Sequence, residues 1–87
     1  MTLRHRADAD FWALYQALPT AVQRRADKAF QLLKQDLQHP SVQFKKVGTK
    51  WSARVDRGYR APAISTDDGF LWFWIGTRDD DMRENHK

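Results

Sequence analysis

The stretch FLWFWI, residues 70–75, is apolar at every position. A strand that is apolar on both of its faces is typical of an internal strand that is covered on each side. Asp67, Asp68 and Gly69 come directly before it, and this run is typical of a hairpin turn. We therefore expect residues 70–75 to form a central strand that follows a tight turn.

Upstream of this strand, apolar and polar side chains alternate with the period of two that strands have, in residues 42–46 and again in residues 51–56. Two strands, at about residues 51–55 and 59–65, are joined by the predicted turn Arg57-Gly58, where Gly58 is free to take a positive φ. Pro62 lies inside the second of these strands. Because proline has no N–H to donate, we expect it at a sheet edge or a bulge.

The first part of the chain has the period of helices instead. Asp8 or Asp10 can cap a first helix, since a carboxylate accepts from free N–H groups. Thr20 is the predicted N-cap of a second helix over about residues 21–36, which has an apolar stripe and a charged outer face. Pro19 makes the joint between the helices short, so the two form a helical hairpin.

These elements predict an α+β fold in which an N-terminal helical hairpin packs on a small antiparallel β-sheet of three to four strands. The helices must cover one sheet face, because the strand at 70–75 would otherwise be exposed. The 87 residues fit a single domain, 1–87, and its tail, residues 79–87, is a candidate for disorder.

Several classes of protein are excluded by simple features. The chain has no cysteine, no run of 18 apolar residues, and no apolar segment in its N-terminal MTLRHRADAD. From these features we expect no disulfide framework, no membrane-spanning helix and no signal peptide. We expect a soluble, cytoplasmic protein.

Charge is distributed unevenly along the chain. Residues 1–66 carry 12 Lys/Arg against 5 Asp/Glu, whereas residues 67–87 carry 3 against 6. The densest basic set is Lys45, Lys46, Lys50, Arg54, Arg57 and Arg60. A basic body with an acidic tail favours a polyanionic partner such as nucleic acid, although the charges could also serve only as a solubilising surface.

Two arginines in this set flank the predicted turn. A hairpin that turns near Arg57-Gly58 places Arg54 and Arg60 roughly opposite each other on adjacent strands, where like charges repel. A phosphodiester between them would relieve the repulsion, because arginine binds phosphate through two parallel hydrogen bonds. The alternative is that Asp36, Asp56 or a carboxylate of the tail neutralises the pair.

Other chemistries have little support. The three histidines show no metal-binding spacing, the serines lack a nucleophile-elbow context, and the acidic run at residues 79–81 is typical of a solvated end. The four tryptophans suit a core or a half-buried sheet, and at most one of them is expected to stack on a base.

The ordered set of segments resembles the RelE/ParE superfamily of toxins from type II toxin–antitoxin systems. The segments are FWALYQALP, AVQRRADKAFQLLKQD with HPSVQFKKV, then WSARV, GYR and FLWFWIGT, spanning about residues 11–77. The resemblance implies a helical hairpin on a small antiparallel sheet. It also implies metal-independent cleavage of mRNA on the ribosome through a 2′-hydroxyl attack, no cofactor, and a cognate antitoxin as partner.

The resemblance assigns roles to individual residues. Arg60 matches the arginine that holds the scissile phosphate, Arg54 a basic strand residue at the same site, and Arg78 an arginine that stabilises the transition state. The predicted RNA contacts are Lys45, Lys46, Lys50 and Arg57. With the ribosome and mRNA as partners, the lead hypothesis is a ribosome-dependent mRNA endonuclease.

Two other functions stay open. The family's C-terminal tyrosine is missing, and the tail is acidic. These features motivate a non-nuclease member, either a DNA gyrase poison or an attenuated toxin that mainly binds its antitoxin. The third hypothesis is a basic RNA-binding domain without toxicity.

Overall fold

The computed structural model describes residues 4–79, which form two α-helices and one mixed β-sheet. The helices are α1 (Ala9–Gln16) and α2 (Thr20–Gln35). The strands are β1 (Arg4–Ala7), β2 (Lys45–Val47), β3 (Lys50–Arg54), β4 (Tyr59–Thr66), β5 (Gly69–Trp72) and β6 (Gly76–Thr77). The α+β class is thus confirmed, and the tail predicted at residues 79–87 lies outside the described residues except for Asp79.

The sheet has the order β1-β5-β4-β3-β2, with β6 also paired to β4. β1 runs parallel to β5, and all other pairs are antiparallel. The prediction of a purely antiparallel sheet of three to four strands is therefore wrong. β1 has only four residues, and its partner strand is distant in sequence, so no hairpin signal marks the pairing.

Helix α1 begins as its sequence predicts, whereas α2 does not. The backbone N–H of Phe11 donates to Asp8 Oδ1 at 2.9 Å, which makes Asp8 the N-cap. Thr20 is not a cap but the first residue of α2, and Pro19 stands at the N-cap position without a side-chain bond. The carbonyl of Pro19 accepts from the N–H of Val22 at 2.9 Å, so the first helical turn closes one residue earlier than predicted.

The core lies between α2 and one face of the sheet. The ring of Trp72 on β5, 1% exposed, meets Phe30 of α2 edge-to-face with centroids 5.0 Å apart. Ala53 and Ala61 on the sheet and Leu33 on α2 belong to the same buried cluster. The helices therefore pack on this face of the sheet, and the arginine-bearing face is the other one.

The apolar stretch 70–75 does not form one continuous strand. β5 is internal, between β4 and β1, but it ends at Trp72, and the chain rejoins β4 at Gly76. Between the pairs Ala63–Trp72 and Arg60–Gly76, β4 supplies two residues and its partner three. One extra residue on one strand is a β-bulge, and Pro62 lies opposite it, as predicted from its missing N–H.

The turn between β3 and β4 has a different basis from the predicted one. Among the described glycines, Gly48 has a positive φ and Gly58 does not. Instead, the N–H of Gly58 donates to Asp56 Oδ1 at 2.8 Å, so an aspartate side chain closes the turn.

Candidate nucleic-acid interface

Arg54 and Arg60 are direct partners in the register of β3 and β4. Their neighbours Ala53 and Ala61 pack toward α2, so strand alternation puts both arginines on the helix-free face of the sheet. The predicted placement of the two arginines opposite each other is therefore confirmed. Directly opposed like charges destabilise a sheet unless something compensates them.

Of the carboxylates that could have compensated this pair, Asp36 and Asp56 are used elsewhere, and those of the tail lie outside the described residues except for Asp79. Asp56 forms an ion pair with Arg25 at 2.9 Å, and Asp36 Oδ1 accepts from the N–H of Gln38 at 2.9 Å. Within residues 4–79, neither Arg54 nor Arg60 has a side-chain hydrogen bond or an ion pair. This pair of guanidinium groups is thus a candidate site for an anion.

The third predicted arginine, Arg78, comes directly after β6, the strand that flanks Arg60 on its other side. Arg60 pairs with Arg54 across β3 and with Gly76 across β6. The backbone N–H of Arg78, two residues after Gly76, donates to the carbonyl of Gly58 at 2.8 Å. The backbone of Arg78 is therefore held at the same end of the sheet as Arg60, and its side chain is exposed.

The predicted RNA-contacting residues divide between the two faces. Lys45 pairs with Ser52, on the face of Arg54, whereas Lys46 pairs with Trp51, on the face toward the helices. Consecutive strand residues point in opposite directions, so the structure does not bring Lys46 onto the arginine face. Arg57 is exposed in the turn after β3.

Lys50 makes an aromatic contact that the sequence did not predict. Its Nζ lies 5.5 Å from the centroid of the Phe73 ring, a cation–π contact on the helix-free face. Phe73 belongs to the bulge, and no turn or motif signal in the sequence distinguished it from a strand residue.

Ser52 is a polar group on this face that sequence reasoning missed. It is 5% exposed, and its Oγ has no hydrogen-bond partner among residues 4–79. It precedes Arg54 by two positions and therefore shares its face. A buried hydroxyl without a partner is uncommon, because it has lost its water without a replacement.

Two clefts open beside the helices. One, of about 200 Å³, lies between α2 and β3, and Arg54 borders it together with Arg25 and Lys28. The other, of about 350 Å³, lies beside β1 and is lined by residues that include His5, Trp12 and Lys34. Residues 4–79 contain no group of three or more His, Cys, Asp or Glu side chains that could hold a metal ion. No helix in the same range has the length and hydropathy needed to cross a membrane.

Comparison with solved structures relates this architecture to known proteins. A chain of the archaeal RelE–RelB complex from Pyrococcus horikoshii is 22% identical, with a TM-score of 0.66, over 90% of this chain and 97% of that one. A chain of the RelBE2 toxin–antitoxin complex from Mycobacterium tuberculosis is 18% identical, with a TM-score of 0.69, and the match covers 90% of this chain and 100% of that one. The YoeB/ParE toxin from Agrobacterium tumefaciens is 9% identical, with a TM-score of 0.68, and the match covers 87% of this chain and 99% of that one.

No protein-family profile and no curated protein matches the chain. The similarity to solved structures nevertheless covers most of this chain and nearly the whole of the other chain in each comparison. The chain therefore has the RelE/ParE toxin fold, and the resemblance noted in the sequence is confirmed as a shared fold.

Proposed function

We propose that the chain is the toxin of a type II toxin–antitoxin system and that it inhibits translation by cleaving mRNA on the ribosome without a metal. The observation that carries the proposal is the direct pairing of Arg54 with Arg60, with no carboxylate among residues 4–79 on either side chain. The shared fold with toxin structures supports it independently.

The proposed chemistry suits a site built from guanidinium groups. The 2′-oxygen of a nucleotide attacks the adjacent phosphorus and loses its proton, and the bond from phosphorus to the 5′-oxygen breaks as that oxygen gains a proton. The products are a 2′,3′-cyclic phosphate and a 5′-hydroxyl, so the reaction needs no co-reactant. Negative charge grows on the non-bridging oxygens, and Arg54 and Arg60 stabilise it more in the transition state than in the ground state.

The remaining basic residues have binding roles in this proposal. Arg78 adds positive charge beside Arg60, while Lys45 and Lys50 extend the basic surface along the same face. Lys46 and Arg57 would contact RNA from outside that face. Messenger RNA and the ribosome are the proposed partners, and the proposed site of action is the cytoplasm.

A cognate antitoxin is the other proposed partner. Several of the similar solved structures are toxin–antitoxin complexes. An antitoxin carboxylate placed on Arg54 or Arg60 would block the anion site directly. A charge reversal, Arg60→Glu, is then expected to weaken the complex, and an unchanged affinity would contradict this detail.

The test is inducible expression followed by primer-extension mapping of mRNA 5′ ends. The expected result for the unmodified chain is growth arrest with new mRNA ends. Arg60→Ala should lower the cleavage rate by about 10²- to 10³-fold, by analogy with the loss of one oxyanion-hole donor. Arg24→Ala, on the exposed side of α2, removes the same charge away from the site and should cleave normally.

The other outcomes separate the alternatives. Growth arrest without new mRNA ends would contradict the nuclease and lead to a supercoiling assay with purified DNA gyrase. No geometric feature of the described residues favours the gyrase alternative. Harmless overexpression with salt-sensitive RNA binding would indicate an RNA-binding domain instead.

A further inference from the structure

The bulge between β5 and β6 brings two successive aromatic side chains to the same face of the sheet. Trp72 before the bulge and Ile75 after it are both 1% exposed and belong to the core. In a regular strand, only one of the two intervening residues would lie on the helix-free face. Because three residues, 73–75, face only Ala61 and Pro62 of β4, the extra residue allows both Phe73 and Trp74 to lie on that face.

The side-chain contacts of both residues agree with this placement. Lys50 lies over the ring of Phe73, and Lys50 is on the face of Arg54 by alternation along β3. A Cβ built on Gly76 would come within 2.5 Å of Cη2 of Trp74, so the indole lies against the backbone of Gly76. Gly76 is the direct cross-strand partner of Arg60.

The two rings differ in what they offer to a ligand. The ammonium group of Lys50 is already placed over the ring of Phe73. The indole of Trp74 is half-buried and rests on a residue without a side chain, one strand spacing from Arg60. An aromatic surface beside a phosphate-binding arginine is the arrangement by which proteins hold single-stranded nucleic acid without reading its sequence.

We propose that Trp74 stacks on a base of the bound RNA next to the phosphate held by Arg54 and Arg60. This inference rests on the proposed function and adds a base-positioning contact to it. The absence of a side chain at Gly76 is required for this contact, because a side chain there would displace the indole of Trp74. Stacking on an aromatic side chain contributes about 5- to 150-fold in affinity for each base, and it tolerates any base because all have a π face.

The test is an NMR titration of the ¹⁵N-labelled full chain with two short RNAs. Both carry 2′-O-methyl groups, which remove the nucleophile and prevent cleavage; one has its bases, and the other is abasic with the same phosphates. The indole N–H signal of Trp74, assigned with Trp74→Phe, should shift with the base-bearing RNA alone. The indole signal of Trp12, 50% exposed on α1, should not shift and is the internal control.

Variants separate stacking from packing and from charge. Trp74→Leu keeps an apolar side chain but has no π face, and Gly76→Ala displaces the indole. Each should lower the affinity for the base-bearing RNA by at least about 5-fold and leave the abasic affinity unchanged. Arg60→Ala should lower the affinity for both RNAs, and Trp12→Leu should lower neither affinity. Backbone amide spectra of each variant serve to check that it is folded.

The outcomes distinguish this inference from the proposed function. If the two RNAs bind with equal affinity, and Trp74→Leu changes neither affinity, base stacking is overturned and the phosphate site remains intact. Loss of affinity for both RNAs in Trp74→Leu would show that the residue only supports the arginines, which also overturns it. Binding of neither RNA by the unmodified chain would overturn the RNA site as a whole.

Discussion

His5 links the first strand to the core through one side-chain hydrogen bond. The indole N–H of Trp72 donates to His5 Nδ1 at 3.2 Å, which requires a lone pair on that nitrogen. The imidazole also stacks on Phe70 at 5.9 Å. Burial lowers the pKa of His5 from its usual 6.5, and the positive charge of Lys34 lowers it further. The folded state therefore favours the neutral ring.

We predict that this histidine makes stability depend on pH. The pKa of His5 is lower in the folded chain than in the unfolded chain. Below about pH 6.5 the unfolded chain therefore binds the proton more readily, and the free energy of unfolding decreases as the pH is lowered. Urea unfolding between about pH 7.5 and pH 5.5 should show this loss. His5→Gln should reduce it. A slope that His5→Gln leaves unchanged would contradict the assignment.

Ser52 provides a second prediction at the same scale. Its buried Oγ has no partner among the described residues, and an unsatisfied buried polar group costs about 1–3 kcal/mol. Ser52→Ala should therefore raise the free energy of unfolding, by up to that amount, in urea titrations. Ser65→Ala, at an exposed position of β4, should change it by less than about 0.5 kcal/mol. A loss of stability in Ser52→Ala would show that the hydroxyl has a partner in solution.

At the level of elements, the parallel pairing of β1 with β5 depends on one residue without a side chain. Arg4 pairs with Gly69, and its N–H donates to the carbonyl of Asp68 at 2.8 Å. A Cβ on Gly69 would overlap the backbone carbonyl oxygen of Arg4. Glycine here is required for close approach of two backbones, whereas β-branched and aromatic residues are the usual choice in strands.

Gly69→Ala should therefore weaken the attachment of β1. The added methyl group has no free space, and overpacking of this kind costs about 1–3 kcal/mol. Gly58→Ala is the matched control, because the nearest atom to its built Cβ is 4.0 Å away and its φ is not positive. Urea unfolding and amide exchange at residues 4–7 measure the effect. Equal stability of the two variants would contradict the close approach.

At the level of the whole molecule, the fold separates two surfaces by chemistry. The helix side of the sheet carries the core, and the helix-free side carries Lys45, Lys50, Arg54 and Arg60 around a bulge with two aromatic side chains. The ion pairs within residues 4–79 lie elsewhere, at Asp68 and Asp56. Positive charge on one face therefore remains available to a polyanion.

The affinity for single-stranded RNA should accordingly depend steeply on salt. Each phosphate neutralised by a lysine or arginine contributes about 0.7 to the slope of log affinity against log salt concentration. Lys45→Gln should lower this slope by about that amount in filter binding of a 2′-O-methyl RNA, because Lys45 shares the face of Arg54. Arg24→Gln removes a charge on α2 and should leave the slope unchanged. Equal slopes for the two variants would argue against a localised interface.

Much of the architecture followed from the sequence because local rules govern it. The Asp8 cap of α1, the periods of both helices, the β4–β5 hairpin at Asp67-Asp68, and the opposition of Arg54 and Arg60 all involve residues close in sequence. Pro62 predicted a sheet edge or a bulge for the same reason, since a missing N–H is a property of the residue itself.

Tertiary structure alone decided the rest. The pairing of β1 with a strand more than sixty residues away, the division of Lys45 and Lys46 between two faces, and the side on which Phe73 and Trp74 lie all depend on register. A shift of one residue moves every side chain of a strand to the other face, and no local pattern in these short strands specifies that shift. The amino-acid sequence determined which groups could bind an anion, and the register of the sheet determined which of them meet.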